Sequence, residues 1–397
     1  MTRPTPRRLW KYVCGPLRLA GYFRGPGDSR PRPQIPAAVL LWALVVGQVL
    51  RECSFHGVEA LVRSPARRAL RVGRRFGDDT LAYFTERLDP AGTRQAAAAT
   101  VRQAKRNKAL GGSGWMGLAL DGTGVGHGEQ PGCALCQAVR DPAGAVHGYL
   151  HHVVAIAVVG VDLTLPVDVE PYGPGDSESA AGQRLLQRAV AAVGARFADY
   201  VVVDGEFATA PFLHVAGDLG IRVVARLKNN LPALLAAAQA RFAGQPPQAT
   251  LTEGRDRVEV WDADDFDPWE TLRWPTVRVL RYRQHKPEGT VVEAYWLTDL
   301  ARARVSSRLL YRFAKSRWEI ENEGFNEAKT RHGLEHIPHH HANSLLIAWL
   351  LTMFALTLER LYRLRYLHRG THAPATAIEF VRAPRLSLCP ARRLDSS

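Results

Sequence analysis

The sequence predicts an α/β fold: a mixed five-stranded sheet with flanking helices, a β-rich insertion, and an all-helical basic domain in front. Three observations predict it. Hydrophobic periodicity is helical up to about residue 109, then gives way to short apolar runs separated by amphipathic segments. Charge is segregated: residues 1–110 hold 21 Lys and Arg against 7 Asp and Glu, whereas the rest of the 397-residue chain balances at 31 of each. Two of the apolar runs, 115–121 and 200–204, end in aspartate.

Composition narrows the class first. A hydrophobic fraction of 46% and a charged fraction of 23% exclude a disordered or fibrous chain. Five cysteines (Cys14, Cys53, Cys133, Cys136, Cys389) are too few for a disulfide scaffold and fit a reducing compartment. The longest apolar runs, 35–50 and 345–358, fall short of the roughly 20 residues of a membrane span, so buried helices are expected and no membrane partner. The basic N-terminus lacks a compact apolar stretch with a small-residue cleavage site, which implies a soluble cytoplasmic protein. The net charge of +14 points to a polyanion as partner, because Lys and Arg blocks neutralise phosphates and release counterions.

In chain order, 1–34 is rich in Pro, Arg and Gly and reads as loop. Helices follow at 37–50, 56–76, 78–88 and 91–109; the second carries Arg67, Arg68, Arg71, Arg74 and Arg75 along one face. Gly111-Gly112-Ser113-Gly114 then breaks the chain. Strands are expected at 115–121, 147–160 and 163–170, a helix at 180–196, a strand at 200–204, a helix from 210, a strand at 221–227 and a helix at 231–242. Residues 245–300 turn β-rich, with 258–261, 276–283 and 291–300 as strands. A helical segment spans 306–331 and an apolar helix 343–367. This is the element order of a ribonuclease H-like domain. It divides the chain into 1–110, a basic helical DNA-binding domain; 111–244, the first part of the core; 245–300, the insertion; 301–345, the core's last acidic helix; and 346–397, a C-terminal helix with a basic tail.

Asp121, followed by Gly-Thr-Gly, and Asp204, followed by Gly-Glu, each end a strand, where open α/β sheets bind ligands. If the strands are neighbours, the two carboxylates repel unless a cation lies between them. Magnesium takes oxygen ligands and accompanies phosphate chemistry. A pair of such ions needs a third acid. In the helix 311–331, Trp318, Phe325 and Ala328 form an apolar stripe. Glu321 falls on it, and Glu319, Glu323 and Glu327 fall off it. Arg317, one turn earlier, can orient Glu321 or hold a phosphate.

These residues resemble the DDE transposases of bacterial insertion sequences, in the branch whose catalytic domain has a β-rich insertion. That branch carries Tyr, Arg, Glu and Lys at spacings of two, three and six intervening residues. Arg317 and Glu321 match the Arg-to-Glu spacing, and Lys329 stands near the Lys position; 318–336 is the most specific stretch. Residues 121–124 and 201–212 match the contexts of the two aspartates, and the resemblance covers about 115–360. Two departures stand out. Ala314 occupies the Tyr position, and seven residues separate Glu321 from Lys329, which makes Glu323 the rival third acid. The resemblance implies catalytic Asp121, Asp204, Glu321, Arg317 and Lys329, with two Mg²⁺ (or Mn²⁺) ions on the three acids. It implies hydrolysis at the ends of a transposable element and strand transfer of the 3′-hydroxyl into target DNA. It also implies a homodimer on double-stranded DNA in the bacterial nucleoid. A catalytically inactive DNA-binding derivative, or a structure-specific nuclease of the same fold, is the alternative.

Cys133 and Cys136 form a single C-x-x-C, with His147, His151 and His152 downstream. Strand neighbours point to opposite faces, so the expectation is a reduced pair packed beneath the active-site loop rather than a zinc site. His339–His341 reads as a solvated or DNA-facing turn. No phosphate-binding glycine loop is present, so nucleotide cofactors are not implied.

Overall fold

The protein is described here from a computed structural model, covering residues 6–24, 27–68, 70–112 and 114–366 together with Val381 and Arg385. The basic tail beyond residue 366 and Cys389 otherwise lie outside the described residues.

The front of the chain is helical. Helices α1 (Pro6–Cys14) and α2 (Ala20–Arg24) occupy the segment expected as loop. The Pro and Arg residues there flank short amphipathic stretches whose Leu9, Val13, Leu19 and Phe23 are buried. Then come α3 (Ala37–Val49), α4 (Phe55–Arg63), α5 (Asp78–Arg87) and α6 (Pro90–Arg106). The expected 56–76 helix stops at Arg63. Pro65 disfavours a helical residue before it, and Ser64 is extended at ψ 170°. One 3₁₀ turn, Pro65–Arg68, follows, so the arginines lie on a turn and loop rather than on one helix face.

The sheet begins with β1 (Gly117–Gly128), β2 (Gln137–Arg140), β3 (Val146–Val159) and β4 (Leu165–Tyr172). It continues after α7 (Glu178–Val193) with β5 (Tyr200–Val203), α8 (Ala210–Asp218), β6 (Arg222–Leu227) and α9 (Pro232–Phe242). Strands β4, β3, β1, β5 and β6 lie side by side in that order, with β1, β5 and β6 parallel and β3 antiparallel to both neighbours. This is the mixed five-stranded sheet of a ribonuclease H-like fold. The β-rich insertion does not form a separate layer. Its strands β7 (Ala249–Glu253), β8 (Asp256–Phe266), β9 (Val277–His285) and β10 (Val291–Thr298) extend the same sheet, with β10 antiparallel to β6. Buried Arg278 and Asp262 pair at 2.6 Å inside it, so neither charge is left without a partner.

Alternation along the strands builds two cores. Leu118, Leu120, Val201 and Val203 face the front helices, α7 and α8. Ala119, Val153, Ala155, Tyr200 and Val202 face the opposite side. That side is covered by α10 (Ser307–Lys315), the short α11 (Arg317–Glu319), a π turn (Ile320–Phe325), α12 (Asn326–His332) and part of α13 (Ala342–Tyr366). Gly333 ends α12 in the left-handed conformation, at φ 64°. Helix α13 is apolar enough along 342–365 to cross a membrane, but 94% of its apolar window is buried within the protein, which makes it a core helix. It packs on α3, α5, α6 and β4. Polar contacts fasten it to the front: Thr85 Oγ1 donates to Ser344 Oγ at 2.9 Å, and the Asn343 amide donates to the Thr85 and Leu88 carbonyls.

Candidate active site

Strand parity decides which face the aspartates take. Ala119 and Asp121 share one side of β1; Tyr200, Val202 and Asp204 share the same side of β5. The parallel register pairs Leu120 with Val203, so Asp121 and Asp204 are the next residues on adjacent strands. Both lie just past the last pair of the β1–β5 ladder, and both look toward the helices around residue 320.

Asp121 differs from expectation in one respect: it does not end its strand. The glycine-rich stretch after it stays paired with β3, Asp121 opposite Ala155 and Gly124 opposite His152. What ends at Asp121 is the parallel ladder with β5, which opens a notch between the strands. The aspartate is largely buried. Burial pushes its carboxyl up to about 6 against the pull of Arg317, with Asp204 and Glu178 adding repulsion. Asp204 moves the other way. Burial again raises its carboxyl, but the Lys228 ammonium at 2.6 Å, with smaller help from Arg317, holds it below its ordinary value.

Arg317 is the organising cation. Its guanidinium donates to Asp121 Oδ2 at 2.8 Å and to Glu321 Oε2 at 3.3 Å. One planar fork therefore holds an acid of the sheet and an acid of the helix. Trp318 stacks beneath the guanidinium at 4.9 Å and meets Trp296 of β10, so the extended sheet buttresses this helix.

Glu321 was expected to point inward on the apolar stripe, and that expectation is corrected. The π turn over Ile320–Phe325 adds a residue to the turn and rotates the face. Phe325 and Ala328 are buried and Trp318 half-buried, whereas the Glu321 side chain is 49% exposed and reaches the aspartates only through Arg317. Glu323 is exposed too, on the side of Arg360, 3.9 Å from that guanidinium. Glu327 pairs with Arg360 at 2.5 Å. Glu319 is the inward acid: it accepts from the Gly160 amide at 3.0 Å and from Thr164 Oγ1 at 3.4 Å, and burial pushes its carboxyl up to about 7. Lys329 stands three residues along β1 from Asp121, donating to the Gly124 carbonyl at 2.8 Å, with Glu335 at 3.4 Å.

Two participants escaped the sequence reading. Lys228 lies just past β6, and its approach to Asp204 depends on the parallel β5–β6 pairing. Glu178 opens α7, where its residue type reads as a helix N-terminal acid. It packs so closely on the far side of Gly122 that a methyl group there would stand 2.4 Å from its carboxylate. Tyr172 donates to it at 3.0 Å, and burial raises its carboxyl. The short polar run before α7 could have pointed to Glu178; nothing local to Lys228 could have.

The donor set of the notch is carboxylate oxygen, the set that hard divalent cations take. Asp121, held above its ordinary value beside other acids, is the group such an ion relieves. The residues thus fit a divalent metal.

No curated protein matches the chain. Among solved structures, a cryo-EM structure of a piggyBac transposase synaptic complex with hairpin DNA is similar over 97% of this chain and 80% of its own, at 12% identity and a TM-score of 0.49. The family described as "Transposase DDE domain" matches residues 114–358, from just before β1 into α13, and so takes in both aspartates and the Arg317–Glu321 helix. The chain belongs to the DDE transposase family.

Proposed function

We propose that the chain is the transposase of an insertion sequence, which hydrolyses phosphodiesters at the element ends and transfers the freed 3′-hydroxyl into target DNA. The observation that carries this reading is the placement of Asp121 and Asp204 side by side on one sheet face, opposite the helix of Glu321, within the matched family domain. Asp121, Asp204 and Glu321 would hold two Mg²⁺ or Mn²⁺ ions. Held there, such ions would supply the charge that activates an attacking oxygen and neutralises a leaving one. Arg317 keeps Glu321 beside the aspartates and offers a charged fork to a phosphate. Lys329 supplies a second cation on the same side. Glu323, turned toward Arg360, takes no part. The basic front, with exposed Arg68, Arg71, Arg74 and Arg75, contacts double-stranded DNA, and a homodimer holds paired ends in the nucleoid.

The test uses the full chain with duplex DNA carrying the sequences that flank its coding region. With Mg²⁺, nicks exposing 3′-hydroxyls at the element boundary and their joining to a target plasmid are expected, and neither with EDTA. Binding without cleavage in Mg²⁺ or Mn²⁺ makes the chain an inactive DNA-binding derivative. Cleavage with neither joining nor end preference makes it a nuclease.

A further inference from the structure

A second cluster of ligating side chains lies on the same sheet face, four residues along β1 from Asp121 and so about 13 Å away. His151 of β3 sits opposite Val125, where β1 bulges. Its Nδ1 is 3.2 Å from the Gly126 carbonyl oxygen. A carbonyl only accepts, so this contact keeps the hydrogen on Nδ1 and leaves the Nε2 lone pair free. Nε2 faces two thiols: Cys133 Sγ and Cys136 Sγ each lie 3.3 Å from it and 3.9 Å from one another. The sulfurs are far too distant for a disulfide bond of about 2.0 Å. A tetrahedron with metal–sulfur bonds of about 2.3 Å and a metal–nitrogen bond of about 2.0 Å has S···S and S···N edges of about 3.8 and 3.5 Å. The three atoms therefore span one face of a zinc coordination tetrahedron. The Gly132 amide approaches Cys136 Sγ at 3.4 Å, a backbone contact of the kind that supports a thiolate.

A candidate fourth donor lies beside the loop that carries the two thiols. The His340 ring packs against Gly132, so closely that a methyl group at Gly132 would stand 2.1 Å from its Nδ1. Three neighbouring histidines are engaged elsewhere: His147 with Asp141, His152 against Tyr172, and His339 with Glu86. We propose that Cys133, Cys136 and His151 bind a structural zinc ion, with His340 as the fourth ligand. The ion fastens the β1–β3 end to residues 333–341, the connector between α12 and α13. Ile337 of that connector already packs against Gly126. The connector also leads back to Lys329, so the zinc fixes where the acidic helix ends. This inference stands apart from the proposed chemistry at Asp121.

The test is the metal content of the full chain purified without chelator, read by inductively coupled plasma mass spectrometry. About one zinc per chain is expected, retained in Asp121→Asn and lost in Cys133→Ser/Cys136→Ser. His340→Ala should release zinc to a chelating dye at least tenfold faster. Should the cysteine variant fail to fold, cobalt exchange into the wild-type chain decides: a thiolate-to-cobalt charge-transfer band with intense tetrahedral visible bands is expected. A folded wild-type chain that carries no zinc and gives no such spectrum overturns the proposal, as does a Cys133–Cys136 disulfide in the purified chain. An unchanged release rate in His340→Ala overturns the fourth ligand.

Discussion

Two clusters of metal-capable side chains share one face of β1 and β3, and they are built differently. Around Asp121 the donors are carboxylates, and two cationic side chains pair with them, Arg317 with Asp121 and Lys228 with Asp204. Around His151 the ligands are sulfur and nitrogen, and the groups bonded to them are one another and backbone atoms. The oxygen-lined notch suits a hard ion that comes and goes with an anionic substrate, since its own cations balance the acids meanwhile. The compact soft set suits an ion that stays.

The largest effects should come from the first cluster. Asp121→Asn or Asp204→Asn should reduce DNA cleavage about 10³-fold or more. The melting temperature and DNA binding should stay close to wild type, because each side chain keeps its shape. If binding and folding fall with cleavage, the aspartates serve the strand ends and not the chemistry. Next comes the helix. Glu321→Gln should slow cleavage about 10²-fold, and Glu323→Gln should leave it within about twofold, because exposed pairs are worth about 0–1 kcal/mol. The reverse result would make Glu323 the ligand and the Lys329 spacing the better guide. The third acts on DNA alone. Replacing Arg68, Arg71, Arg74 and Arg75 with Gln in the full chain should weaken binding and flatten its salt dependence by about 0.9 per lost phosphate contact, readable by anisotropy. An unchanged slope would move the DNA surface elsewhere.

The smallest concerns Glu319, which belongs to neither cluster. Its folded carboxyl is raised from an ordinary value of 4.5 to about 7, so the folded chain holds a proton the unfolded chain has released. Stability from this residue is therefore lost as pH rises from about 4.5 through about 7. Glu319→Gln should melt near wild type at pH 5 and about 1–3 °C higher at pH 8.5. A pH-independent difference would assign Glu319 to a charged network instead.

Legibility followed the range of the interactions. That the two aspartates share one sheet face could be read because alternation is a local property, although Asp121 lies within β1 rather than at its end. The core sheet could be read because its element order is local too. The Glu321 orientation could not, because a π turn changes the periodicity on which a helical face is drawn. Arg317 was visible at its helical spacing from Glu321, but its bond to Asp121 spans 196 residues. The clustering of Cys133, Cys136 and His151 was not legible because it depends on how the loop after β1 folds back onto β3, and His340 lies 189 positions after His151. The expected arginine helix ends early because Pro65, not the arginine spacing, sets the local backbone. The insertion read correctly as β-rich, but its continuity with the core sheet rests on β6–β10 pairing, which no local pattern shows.

The central claim is that Asp121 and Asp204 together form a site for a divalent ion. Calorimetric titration of Mn²⁺ into the full chain tests it without knowledge of the DNA ends. The account predicts saturable binding in the wild type and in Cys133→Ser/Cys136→Ser, and loss of that binding in both Asp121→Asn and Asp204→Asn. Equal Mn²⁺ binding by wild type and the two aspartate variants would contradict it.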